Sequence, residues 1–402
     1  MTAVEYLEGS MRNKSRYARV AVLSVLAGLC ASTAFTAERV VDLTAPDGLT
    51  LKATYFPAAS AGPGILLLHQ CNRQRKVWDA LAQQLSAAGL HVLTFDYRGY
   101  GESDGDRFDT LPPAEAQRIQ REKWPGDIDA AFAYLVAQPG VKKDAIGVGG
   151  ASCGVQNSVQ TARRHPEVKS LVLLSGTTDL RGRDFLRTTK APVFFSFADD
   201  DEFPTSVFAM QWLFSLTRTP KKALARYANG GHGSDMFSVQ KQLPGLIVDW
   251  YAQTLIKTLG HAPTTKAQPT VAAEVQILEA IDSPGGAGVI GRKLEDARKR
   301  DPKAQLFPED IVNFLGYEHL QAGSAKSAID IMQLNVQAYP ASANVYDSLS
   351  DAYLADGQTD LARENAEKAL ELLPKDATAN EQQRAAIRAS AEGKLKQLRP
   401  KD

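Results

Sequence analysis

The sequence predicts two architectures in one chain: an α/β half built on a mostly parallel sheet with helices on both faces, followed by an all-α helical array. Three observations carry that reading. Between Val40 and Gly260, short and nearly continuous apolar runs alternate with helix-like segments, which is the pattern of strands buried on both faces. After the Pro/Thr/Ala/Gln-rich stretch Pro263–Thr270 the strand-like runs stop. Beyond it, a shift of 34 residues superposes Leu315 on Leu349, Leu320 on Leu354, Gly323 on Gly357, Ala328 on Ala362 and Pro340 on Pro374, the mark of a helical repeat.

From the N-terminus, Arg12, Lys14, Arg16 and Arg19 precede the apolar run Val20–Ala34, and Ser32 and Ala34 are small where a signal peptidase requires small residues. Residues 1–34 are therefore expected to be a signal peptide that exports the chain to a periplasmic or extracellular location. The run is too short, and wrongly flanked, for a stable membrane span; an uncleaved anchor is the alternative. The α/β half is expected over 38–261, a linker over 262–272 and the helical array over 273–402. The 402 residues carry a formal net charge of +0, which gives no support to nucleic acid or an anionic membrane as the main partner.

Within the α/β half, the expected strands are Gly64–Gln70, His91–Tyr97, Ala145–Gly150, Ser170–Gly176 and Pro192–Ala198. Helical patterns cover Trp78–Ala88, Pro125–Ala137 and Pro204–Thr217. In such sheets chemistry gathers at the carboxyl ends of the strands. At one of these ends the sequence reads Gly150-Ala151-Ser152-Cys153-Gly154, with a strand before it and a helical pattern after it. A nucleophile on a strand-to-helix turn needs small residues two positions before and after it, because strand and helix crowd together there. Ser152 has Gly150 and Gly154 at those positions. Cys153 has Ala151 and the β-branched Val155, so the frame fits the serine.

A serine nucleophile needs a histidine base oriented by an acid. Of the six histidines, His91 opens a buried strand, His69 precedes the serine, His165 closes a helix before Pro166, His261 lies at the edge of the linker and His319 in the repeats. His232 remains, in the glycine loop Asn229-Gly230-Gly231-His232-Gly233. The acid comes from Asp199, Asp200 and Asp201, consecutive after a strand; Asp201 is preferred and Asp200 is the alternative.

Together, "ILLLHQCN" (65–72), "FDYRGYGES" (95–103), "GASCG" (150–154), "FADDDEFP" (197–204) and "GGHG" (230–233) occur in the order found in the α/β-hydrolase family, and the chain resembles its dienelactone-hydrolase-like and esterase branch over about 220 residues. The resemblance implies a Ser-Asp-His triad of Ser152, Asp201 and His232, and an oxyanion hole of two backbone N–H groups, Cys153 after the nucleophile and Cys71 in the loop after the early strand. Gln70 stands where the family commonly has glycine. Two free thiols are expected at Cys71 and Cys153, on the ground that their Cβ vectors diverge, with a disulfide bracing the hole as the alternative.

No cofactor is expected, since the sequence carries no metal-ligand cluster, phosphate loop or cofactor fingerprint. The usual lid insertion is missing after the strand ending at Gly176, and Asp104–Trp124 is read as the connection that roofs the site. The expected substrate is a small-molecule ester or other acyl compound; a peptide, or an inert fold binding partners through its repeats, are the alternatives. Pro308–Ser342 and Ser342–Asp376 resemble tetratricopeptide repeats, flanked by a degenerate helical pair over Val271–Arg300 and a polar capping helix over Glu381–Leu398. This array is expected to offer a surface to a protein partner, and its separate periodicity predicts a hydrolase half that folds alone; the alternative is an array that packs permanently over the open site and replaces the missing lid.

Overall fold

A computed structural model describes residues 37–256, 273–376 and 379–398. The expected signal peptide and the whole of the expected linker lie outside them. Among the described residues, eight strands form one sheet: β1 (Arg39–Thr44), β2 (Thr50–Phe56), β3 (Gly62–Leu68), β4 (His91–Phe95), β5 (Val141–Ala151), β6 (Val168–Leu174), β7 (Val193–Ala198) and β8 (Lys222–Tyr227). Their order is β1-β2-β4-β3-β5-β6-β7-β8. β2 runs antiparallel to both β1 and β4, and the other pairings are parallel.

Among the described residues, eight α-helices lie between and after the strands of this half: α1 (Asp79–Ala87), α2 (Pro113–Glu122), α3 (Trp124–Ala137), α4 (Cys153–Arg164), α5 (Leu180–Thr188), α6 (Pro204–Leu216), α7 (Met236–Val239) and α8 (Leu243–Tyr251). The period of two along a strand sends alternate side chains into two cores. Ile65 and Leu67 of β3 join the cluster that takes Leu81 and Leu85 of α1 and Ile247 and Trp250 of α8. Leu66 and Leu68 join the opposite cluster, with Ile128 and Phe132 of α3 and Val155 and Val159 of α4. Each of these fully buried aliphatic side chains contributes roughly 1.5–3 kcal/mol relative to exposure, so slipping β3 by one residue is strongly disfavoured.

The helical array comprises α9 (Ala273–Asp282), α10 (Gly286–Arg300), α11 (Glu309–Gln321), α12 (Ala325–Ala338), α13 (Ala343–Ala355), α14 (Thr359–Leu372) and α15 (Glu381–Gln397). The 34-residue spacing recurs in its geometry. Gly323 and Gly357 both hold the left-handed conformation, at φ 81° and 79°. Ser324 N–H donates to His319 O at 2.8 Å, and Gln358 N–H to Tyr353 O at 2.9 Å. α15 is fixed by the buried ammonium of Lys394, which donates to Asp347 O and pairs with Asp347 and Asp351 of α13.

The buried cluster on the α4 side of the sheet continues without a break into the array, through Val275, Leu278 and Ile281 of α9, Ile290 and Leu294 of α10, and Val312 and Leu315 of α11. Two sequence periodicities thus share one core.

Candidate active site

β5 and α4 meet at Ser152, whose φ of 55° and ψ of −120° are sparsely populated for a residue with a side chain. The turn is as tight as the sequence demands. A Cβ at Gly150 would lie 2.1 Å from Gly154 O, and one at Gly154 would lie 2.4 Å from Leu68 O. Ser152 N–H donates to Leu174 O at 2.9 Å, which ties the elbow to β6.

The three aspartates after β7 take different partners. Asp199 pairs with Arg226 at 2.8 Å, and the exposed Asp200 accepts from Gly231 N–H at 2.9 Å. Asp201, 5% exposed, turns inward, and its two oxygens lie 2.8 and 3.0 Å from His232 Nδ1. A carboxylate can only accept there, so Nδ1 carries a proton and donates it to Asp201. Phe203 N–H also donates to Asp201 at 2.9 Å, and the Phe203 ring stands edge-on to the imidazole at 4.7 Å. The loop after β8 brings His232 to the elbow: a Cβ at Gly233 would lie 3.3 Å from Ala151 Cβ. No hydrogen bond joins Ser152 Oγ to His232 among the described residues.

Cys71 and Cys153 form a disulfide, with Cα atoms 5.9 Å apart, which corrects the expectation of two free thiols. The loop after β3 folds back over the first turn of α4, so the two Cβ vectors converge. Neither the Cys71 nor the Cys153 N–H has a hydrogen-bond acceptor among the described residues. Two unsatisfied donors beside Ser152 suit an incoming oxyanion.

Three positioning groups were missed by sequence reasoning. Gln70 is completely buried; its Oε1 accepts from Ser234 N–H and Oγ at 2.8 and 2.9 Å, and its Nε2 donates to Asn72 at 2.9 Å. The Gln70 side chain therefore fastens the Cys71 loop to the His232 loop. Arg75 and Asp96, both buried and ion-paired, hold the far end of the same loop, and Asp96 also accepts from Arg75 N–H at 2.7 Å. His69 donates from Nδ1 to Gln70 O at 2.8 Å and accepts at Nε2 from Tyr97 N–H at 3.2 Å. Burial pushes its pKa down to about 4, so it serves as a neutral bracket. The signal available in the sequence was a charged residue ending a buried strand, Asp96, with an arginine in the facing loop.

Ser152 opens into a cavity of about 840 Å³. Its walls come from α2 (Gln120), α4 (Asn157, Gln160), α5 (Arg181) and, from the helical array, α11 (Glu318, Gln321). The connection Asp104–Trp124 does reach the site, through α2. Among the described residues there is no cluster of three or more His, Cys, Asp or Glu placed to hold a metal, and no helix long and apolar enough to cross a membrane.

Sheet order, elbow and loops define the first half as an α/β-hydrolase fold. Residues 63–232 match the sequence profile of the alpha/beta hydrolase fold. An uncharacterised protein of Mycobacterium tuberculosis (strain H37Rv) is 34% identical over 152 residues, 37% of this chain and 50% of that protein. A thiohydrolase of Aspergillus aculeatus is 30% identical over 135 residues, 33% of this chain and 39% of its own. The chain thus spans half or less of these relatives. Among solved structures, an esterase of Pyrococcus furiosus aligns with 56% of this chain and 92% of its own at 17% identity and a TM-score of 0.44. A 2,6-dihydroxy-pseudo-oxynicotine hydrolase aligns with 57% and 72% at 18% identity and a TM-score of 0.46.

Proposed function

We propose that the protein is a serine hydrolase that cleaves a carboxylic ester, thioester or other acyl bond through an acyl-enzyme. The observation that carries this reading is the buried Asp201–His232 pair at the strand ends where Ser152 is held at its elbow. His232 Nε2 takes the Ser152 proton as Oγ bonds to the acyl carbon. The negative oxygen is received by the Cys71 and Cys153 N–H groups, and the tetrahedral species collapses as His232 returns the proton to the leaving group. A water molecule, deprotonated by the same imidazole, then attacks the acyl carbon and restores Ser152.

Export of the chain belongs to the same reading, and the disulfide supports it, because such bonds persist in oxidising compartments. The repeated helix pairs are read as tetratricopeptide-like on the 34-residue recurrence of their turns. The test is turnover of a short para-nitrophenyl ester. Ser152→Ala is expected to abolish it while leaving the fold intact; undiminished turnover in folded Ser152→Ala protein would refute the mechanism.

A further inference from the structure

The cavity that Ser152 opens into is completed by a helix from the other half of the molecule, and what holds that helix there is a buried ion cluster. Arg183 of α5 is 1% exposed. Its guanidinium donates to both oxygens of Asp282 on α9 at 2.9 and 3.0 Å, to Glu318 on α11 at 2.7 Å, and to Thr178 O at 3.1 Å. One face lies 4.7 Å from the Trp212 ring of α6. Arg187 adds bonds to Glu279 at 2.8 and 2.9 Å and to Asp282 at 2.7 Å, and Trp212 Nε1 donates to Glu279 at 2.7 Å. Partners this fully matched fix α9 and α11 in orientation as well as position. The next turn of α11 after Glu318 then presents Gln321 to the cavity.

The charge inside this cavity is lopsided. Six ionisable side chains line it: Arg121, Arg163, Arg164, Arg181, Asp179 and Glu318. Glu318 is taken by Arg183, and Arg164 by Asp129 at 2.8 Å. Asp179 accepts from Gln156, Gln160 and Gly182 N–H. Arg121 meets Glu122 at 3.5 Å. Arg163 and Arg181 have no acid partner among the described residues; Arg163 donates only to Gln160. The acids are therefore engaged with the protein, whereas Arg163 of α4 and Arg181 of α5, both solvent-exposed residues that line the cavity, have no acid partner among the described residues. A cavity of this size accommodates more than a short acyl chain.

We propose that α11 of the helical array is the far wall of the substrate site, and that the completed cavity selects acyl substrates carrying a negative charge remote from the reacting carbonyl, received by Arg181 with Arg163. This rests on the serine-hydrolase reading and names the substrate class of that site. The acyl carbon sits at Ser152, the anionic end lies along α4 and α5, and Gln321 bounds the chain from the array side.

The experiment compares kcat/KM of the full-length protein for two esters of equal acyl length, mono-para-nitrophenyl adipate and para-nitrophenyl hexanoate. Charge-assisted hydrogen bonds at a partly exposed site predict a preference of about tenfold for the adipate. The preference resides in KM and weakens as salt is added. Arg181→Glu is expected to reverse the ratio. Gln321→Glu, which puts a carboxylate on α11, is expected to lower it as well. Equal rates for the two esters, a preference for the hexanoate, or a ratio unmoved by Arg181→Glu would overturn the substrate class. A ratio unmoved by Gln321→Glu would remove α11 from the site. Turnover of both esters without charge preference refutes this proposal alone; turnover of neither refutes the hydrolase reading beneath it.

Discussion

Asp199, Asp200 and Asp201 are chemically identical, and only their partners separate them. Arg226 holds the first at the surface, the Gly231 N–H holds the second, and the third is drawn inward by His232 Nδ1 and the Phe203 N–H. In Asp201→Asn the one remaining oxygen is held by the Phe203 N–H and an NH2 donor faces His232 Nδ1, which favours the wrong histidine tautomer, so kcat should fall by about two to four orders of magnitude. Asp200→Asn keeps an oxygen for Gly231 N–H and should fall less than about tenfold. Steady-state kinetics of both variants decide the matter, and the opposite ranking would transfer the role to Asp200. The sequence could rank these residues but could not separate them, because the choice depends on which side chain the loop buries. The same holds for Cys71 and Cys153, whose pairing depends on a loop folding back over α4. Their disulfide closes a segment of 82 residues. Replacing both with alanine should therefore destabilise the protein by about 4 kcal/mol in denaturant titration. The backbone donors remain, so ester turnover by the folded double variant should stay within a few-fold of the parent.

Strands buried on both faces were readable as apolar runs, and β3 to β7 lie where those runs fall. β1, β2 and β8 carried no such signal. β1 is an edge strand with Val40 62% exposed. β8 reads Lys-Ala-Leu-Ala-Arg-Tyr, a composition that favours helix until the free edge of β7 recruits it. The elbow was legible because backbone crowding leaves glycine as the only residue that fits at 150 and 154. The bracket beneath the Cys71 loop was not, since His69 acts through contacts made across the sheet. That bracket gives a pH dependence. Burial lowers the folded pKa of His69 from 6.5 to about 4, so between these values the unfolded chain binds the extra proton. Stability therefore rises with pH across this window and is lost as pH falls through it. Denaturant titrations between pH 4 and 6.5 should show this slope, reduced by up to one proton in His69→Gln. An unchanged slope in that variant would exclude His69 as its source.

At the scale of the molecule, two periodicities suggested two independent bodies, but the buried cluster and the Arg183 ion cluster run through both. The 34-residue repeat was legible because its turn glycines and small packing residues recur; its docking was not, because nothing in the spacing of Asp282 and Glu318 announces a common partner on α5. Arg183→Met would leave Asp282 and Glu318 buried without their main cation, and should cost about 3 kcal/mol or more. Sheet-sensitive circular dichroism and tryptophan fluorescence should follow one unfolding transition in the full chain. A chain ending at Ala262 is expected to be insoluble or inactive, since it exposes the α5 and α6 face. Two separated transitions, or a soluble active fragment, would restore the picture of independent halves. The chemistry itself is reached most directly by treating the full-length folded protein with a fluorophosphonate and mapping the adduct by peptide mass spectrometry. Covalent label on Ser152, formed far more slowly in Asp201→Asn, is the expected result; label on another residue, or none on folded protein, would contradict the assignment of Ser152 as the nucleophile.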